Sequence, residues 1–224
     1  MSSVGGGETL TGVLGLTNML VAIGWAVVGA AGGWLVRWGS VRLAKLEELE
    51  PGSKRWQVWG PPIASALVFA AFGFELGFGW LLVLRSIFAL VLVQVIFFDF
   101  EHRLILDRII FPAMALAVAA SVFNNPWWAG LATGIVAGLL FAFLALLGAL
   151  IFKAEALGFG DVKFAAFMGF LLGPLPTIQA LFYGVVLAGL ASVGYIIWKR
   201  SMKGTIAYGP YLAAGTLIVL YQMR

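Results

Sequence analysis

The chain has 224 residues, 62% of them hydrophobic and only 11% charged, with a formal net charge of +4 and no cysteine. That composition excludes a water-soluble domain of this size, disulfides and any cysteine-ligated zinc module. The small excess of positive charge is no nucleic-acid footprint, and its placement points to a lipid bilayer. Residues 1–11 are polar and glycine-rich and carry no basic residue. They lack the positive region of a cleaved signal peptide, so the first apolar run is expected to stay as a helix. Apolar runs predict spans at roughly 13–36, 58–75, 80–98, 108–124, 127–152, 163–174, 177–198 and 205–222. The expected fold class is an all-α polytopic membrane protein, a bundle of about 8 transmembrane helices (range roughly 6–8). It forms one membrane-embedded domain over residues 1–224, with a short cytoplasmic loop at 37–57. Between spans 6 and 7, Gly173-Pro174-Leu175-Pro176 reads as a turn at the outer face.

The basic residues orient these spans. The 37–57 loop holds Arg37, Arg42, Lys45, Lys54 and Arg55; the 99–108 turn holds Arg103 and Arg108. Lys153 and Lys163 flank the next turn on that side, and Lys199, Arg200 and Lys203 the last. Twelve of the 14 Lys and Arg residues therefore fall on one side if the spans alternate, with Arg85 inside a span and Arg224 opposite. The positive-inside rule puts the twelve in the cytoplasm and both chain ends outside.

Asp99 then closes span 3 and Asp161 immediately precedes span 6. They are 62 residues apart, but spans 4 and 5 go out and back, so both return to the cytoplasmic face. An ionisable group at the edge of hydrocarbon is costly, and its default reading is functional. Two carboxyl groups at one depth can share a proton and activate water. Each acid also has a plain structural reading. Asp161 follows Gly158-Phe159-Gly160, a turn that glycine lets bend toward a cavity, and an aspartate before an apolar run is also a good helix N-cap. Asp99, Glu101 and Asp107 lie beside Arg103 and Arg108, as a solvated turn of mixed charge would. These residues alone do not choose between Asp99 and Asp107. His102, the single histidine, reads as a polar interface residue, and no second His or Cys exists to build a zinc site with it, so no metal is expected.

Three strings together resemble the bacterial type 4 prepilin peptidases, which are intramembrane aspartyl proteases of the Gly-x-Gly-Asp type. Asp99-Phe100-Glu101-His102-Arg103-Leu104-Ile105-Leu106-Asp107 is similar to the family's Asp-x-Asp/Glu-His-x-x-Leu/Ile-Pro-Asp/Asn. Glu155-Ala156-Leu157-Gly158-Phe159-Gly160-Asp161-Val162-Lys163 matches its Glu-x-x-Gly-x-Gly-Asp-x-Lys at every fixed position. Ala207-Tyr208-Gly209-Pro210-Tyr211-Leu212-Ala213 resembles its Phe-Gly-Pro-(Tyr/Phe)-Leu-Ala. The strings come in the family's order and specify jointly what none would alone.

The resemblance implies that Asp99 and Asp161, not Asp107, are the catalytic pair. Gly158, Gly160, Glu101, Asp107, Glu155, Lys163, Gly209 and Pro210 support them. It implies a multi-pass protein of the bacterial inner membrane that acts at the cytoplasmic face. Its substrates would be prepilins or pseudopilins, cut after a glycine at the junction of basic leader and helix. Lys153 and Lys163 then have three readings open: topology, lipid headgroups, or a substrate glutamate. Two departures stand out. Leu106 occupies the family's proline position, which predicts a less kinked turn. The 37–57 loop lacks the two Cys-x-x-Cys pairs that many members carry there. Those members also N-methylate the new N-terminus, so S-adenosylmethionine is a cofactor only where methylation is retained, and cleavage itself needs none. Besides substrate and bilayer no partner is implied, nucleic acid is not one, and oligomeric state is left open. The alternative from another class is a proton- or cation-coupled transporter using the same acids, which would show repeats or paired broken helices. No repeat of either acidic string is present. A presenilin-like protease would carry Tyr-Asp and Pro-Ala-Leu, where this chain has Phe98-Asp99 and Gly209-Pro210-Tyr211-Leu212.

Overall fold

The computed structural model describes residues 5–123, 126–152, 158–199 and 207–223. Lys153, Glu155, Arg200, Lys203 and Arg224, singled out above, lie outside the described residues. Among the described residues eight helices follow in order: α1 Gly5–Leu46, α2 Arg55–Leu76, α3 Trp80–His102, α4 Asp107–Ser121, α5 Trp128–Phe152, α6 Phe159–Leu172, α7 Pro174–Lys199 and α8 Gly209–Gln222. No strand occurs among the described residues. The protein is an all-α polytopic membrane protein. Segments of α1, α2, α3, α5 and α7 are long and apolar enough to cross a bilayer. α4, α6 and α8, with 15, 14 and 14 residues, are shorter. At 1.5 Å per residue they reach about 21–23 Å, against a hydrocarbon core of about 30 Å.

Two helix ends differ from the expectation. α1 runs on to Leu46, so Arg37, Arg42 and Lys45 lie on a helix and only the stretch from 47 to 54 is loop. Charge ended the apolar run, but charge does not break a helix; the break comes with Glu48 at φ 57° and the Pro51-Gly52 pair that follows. Likewise Gly173, at φ 75°, makes the whole turn between α6 and α7 by itself. Pro174 and Pro176 already belong to the first turn of α7, where a missing N–H costs nothing. Thr177 donates its backbone N–H and its hydroxyl to the Gly173 carbonyl.

The chain forms two compact units, Met1–Gln94 and Val95–Arg224. In the first, α1 and α2 form a close hairpin. A Cβ on Gly29 would stand 2.5 Å from the Ser65 carbonyl, and one on Gly33 would run into Pro61 and Pro62. Two glycines four residues apart thus let the backbones meet, the usual device for packing helices in lipid. The N-terminal part of α3 is tied to α1 by Trp25 Nε1 donating to Ser86 Oγ at 2.8 Å and by Gln94 Nε2 donating to Ser40 Oγ at 2.7 Å.

In the second unit α6 packs against α4, α5, α7 and α8. Beyond Lys163 it is wholly apolar, and it buries Val162, Phe164, Ala165, Phe167, Met168 and Leu172, as expected of a helix enclosed by others. Its shortness goes with this enclosure, since four neighbouring helices pack against it. α5 comes close enough that a Cβ on Gly169 would stand 2.5 Å from Gly134 Cα. Around the N-terminal end of α6 lie the last turn of α3, the start of α4 and the start of α8.

Candidate active site

Asp99 sits in the last turn of α3 and is 5% exposed. α3 ends three residues later, at His102. Arg103 takes φ 55°, a left-handed conformation that stops the helix, while its N–H still donates to the Asp99 carbonyl at 2.8 Å. The chain then runs extended to Leu106, which precedes α4 with φ −75° and ψ 127°. A proline would adopt that conformation unchanged. The substitution of leucine for the family's proline therefore leaves the backbone path as it would be, and buried Leu106 adds packing instead.

Asp161 lies on the third residue of α6. Gly158 precedes the helix in an extended conformation, φ −68° and ψ 144°, and accepts the Asp161 N–H at 3.0 Å. In return the Gly158 N–H donates to the Asp161 carboxylate. Asp161 is thus not the N-cap; it reaches back to the cap from the third position, as the acidic member of a capping box does. Neither Gly158 nor Gly160 has a positive φ. What Gly160 supplies is space: a Cβ there would stand 3.1 Å from Ile105 Cβ. Burial pushes the Asp161 carboxyl up to about 6, against a smaller pull downward from the Gly158 N–H.

α8 closes the arrangement. Its first residue, Gly209, has no side chain, and a Cβ added there would stand 2.5 Å from Asp99 Oδ2 and 3.2 Å from Ile105 Cδ1. The Asp99 carboxylate therefore rests against the N-terminal end of a helix, where partial positive charge favours an anion. Pro210 follows in the first turn, where its lost N–H is one that no carbonyl awaits. Asp99 and Asp161 are within Coulombic reach of each other, and Tyr208 is within reach of Asp161. The lateral adjacency that the sequence left open is thus present.

The other residues named from the sequence divide. Gly158, Gly160, Gly209 and Pro210 border the two acids. Glu101 turns to His102, with Oε1 3.3 Å from Nε2, both side chains being under one tenth exposed, and the imidazole lies tilted at 48° to the Phe98 ring with the ring centres 4.6 Å apart. Asp107 is more than half exposed and takes the Lys163 ammonium at 2.5 Å. Glu155 lies outside the described residues. Ile105 was missed. Buried at 7% exposure, it touches both Gly160 and Gly209 and so separates the segment bearing Asp161 from the one backing Asp99. An apolar residue in a turn carries no chemical signal of its own. The available clue was that Ile105 fills the Leu/Ile position of the first family string.

A family model described as the type IV leader peptidase family matches residues 86–193, which include both acids but stop short of Gly209 and Pro210. The chain is 30% identical over 159 residues to the prepilin leader peptidase/N-methyltransferase of Bacillus subtilis (strain 168), covering 70% of this chain and 62% of that protein. To the protein of the same name from Dichelobacter nodosus it is 32% identical over 155 residues, 66% of this chain and 49% of the other. To the leader peptidase HopD of Escherichia coli it is 30% identical over 146 residues, 59% of this chain and 88% of the other. The chain thus spans only about half to two thirds of the two longer relatives. No solved structure matches it significantly.

Proposed function

This chain belongs to the type IV leader peptidase family, and we propose that it is an intramembrane aspartic endopeptidase. It removes the basic leader from type IV prepilins or pseudopilins, cutting after a glycine where leader meets helix. The observation that carries the reading is the meeting of Asp99, lying against the first residue of α8, and Asp161, in the first turn of α6, within Coulombic reach of each other. Two carboxyl groups so placed do not both ionise cheaply, and the pair holds one proton. The ionised member takes a proton from water as its oxygen attacks the scissile carbonyl. The protonated member donates to the carbonyl oxygen. Collapse of the tetrahedral intermediate returns a proton to the leaving amine and frees the new N-terminus. The Gly158 N–H is committed to Asp161, so its part is to orient the acid, not to bind the oxyanion.

In this reading the protein sits in the inner membrane with the site toward the cytoplasm and both termini outside. A cysteine placed at Ser53, in a chain with no other cysteine, reports the orientation: labelling by an impermeant thiol reagent only after the cells are opened supports it, and labelling of intact cells refutes it. The function is tested with purified protein in liposomes and a panel of synthetic prepilins, read by mass. Cleavage after the junction glycine is the expected result, and no cleavage of any member overturns the proposal. The same spectra read a methyl group on the product. Methylation is a separate step that this acid–base mechanism does not require, and S-adenosylmethionine is left out of the cleavage assay.

A further inference from the structure

Lys163 follows Asp161 by two residues, so the two side chains leave α6 about 200° apart. Asp161 turns toward the α3 and α8 side. Lys163 turns to α4, where its ammonium donates to Asp107 Oδ1 at 2.5 Å. The same ammonium lies 5.3 Å from the centre of the Phe111 ring and 4.8 Å from that of Phe159. Asp107 and Phe111 stand one turn apart on α4, and Phe159 is the first residue of α6. One ammonium is thus held by a carboxylate and a ring from one helix and a ring from its own.

The ends of this clamp lead to the two acids. Asp107 opens α4 only five residues after α3 ends at His102, so it is fastened to the segment that carries Asp99. Lys163 is on the same turn as Asp161. The clamp therefore joins the two acid-bearing segments by a route that does not pass through either catalytic carboxylate. Its worth to the fold is small. An ion pair in which one carboxylate is more than half exposed contributes little to stability, and exposed cation–π contacts add as little. Its worth to geometry is larger, since a reacting group misplaced by 1 Å can lose about 100-fold in rate.

We infer that Lys163, clamped among Asp107, Phe111 and Phe159, is a positioning residue that sets the first turn of α6 and thereby the place of Asp161 relative to Asp99. The inference rests on the peptidase reading for its kinetic test. In liposomes, Lys163→Met and Asp107→Asn are each expected to lower kcat about ten-fold, with KM within about two-fold and an unchanged melting temperature. The double variant is no worse than either single one. Lys163→Arg restores most of the rate, and so does the exchanged pair Asp107→Lys with Lys163→Asp. Unchanged kcat, additive losses, or a rise in KM alone, which would make the ammonium a substrate or headgroup contact, overturns the inference. A second measurement needs no activity. With cysteines at positions 99 and 161, a short thiol crosslinker should join them efficiently, less so with Lys163→Met, and efficiently again with Lys163→Arg. Equal yields in all three overturn the inference. A wild-type protein that cleaves no prepilin sinks the peptidase reading alone, and the crosslinking still decides this one.

Discussion

Gly209→Ala separates the site from the fold. Gly209 is not in the left-handed region, so alanine suits its backbone, and removing a helical glycine is worth up to about 1 kcal/mol in favour of the variant. The new methyl group, however, would stand 2.5 Å from Asp99 Oδ2 and 3.2 Å from Ile105 Cδ1. An ordinary contact needs about 3.5 Å, so the carboxylate must retreat by about 1 Å while Ile105 gives a few tenths. An aspartate side chain rotates cheaply, which is why the fold should survive. The same rotation carries an acid away from the peptide it serves. A displacement of about 1 Å costs about 100-fold in rate, or about 2.7 kcal/mol of transition-state stabilisation. The assay is steady-state cleavage of a synthetic prepilin in liposomes, beside thermal unfolding in detergent. The expected outcome is a kcat loss near that size with the melting temperature held or raised. Full kcat in Gly209→Ala would refute the placement of Asp99 against α8, and a matching collapse of stability would refute its catalytic interpretation.

Asp99→Asn and Asp161→Asn should each abolish cleavage with the protein still inserted and folded, because each takes one acid from a proton-sharing pair. Asp107→Asn should be far milder, and an active Asp99→Asn beside a dead Asp107→Asn would reverse the assignment. The Asp161 carboxyl, raised by burial to about 6 from an ordinary 3.8, binds its proton more tightly in the folded state. The stability this confers at acid pH is therefore lost as pH rises from about 4 to about 6, by at most about 3 kcal/mol. Asp161→Asn, which never ionises, should melt higher than wild type at pH values above that window and equally at its acid end; identical melting curves across pH would contradict the raised value. Cleavage should persist after exhaustive chelation with EDTA and show a bell-shaped pH profile limited by two carboxyl groups. Activity lost to EDTA and restored by one added metal would replace the carboxyl mechanism with a metal-assisted one.

The sequence by itself determined the class and singled out the candidate acids. Hydrophobicity this high leaves only membrane helices, because in lipid every backbone N–H and C=O must be satisfied within its own segment. A carboxyl group at the edge of an apolar run is expensive, so Asp99 and Asp161 stood out as candidates, but only the family resemblance set Asp99 above Asp107. The turn at Gly173 was legible but drawn too long, because Pro174 and Pro176 suit the first turn of a helix, and the end of α1 was misread because charge from Arg37 on does not break a helix. Only the tertiary structure decided lateral position. Hydropathy encodes depth across the bilayer and carries nothing about which helices are neighbours within it. So the approach of Asp99 to Asp161, the burial of Asp99 against the exposure of Asp107, and the side of α6 that Lys163 takes all waited on packing. The same holds for Ile105, whose role is volume between Gly160 and Gly209, residues 49 positions apart in the chain and brought together only when α6 and α8 meet it.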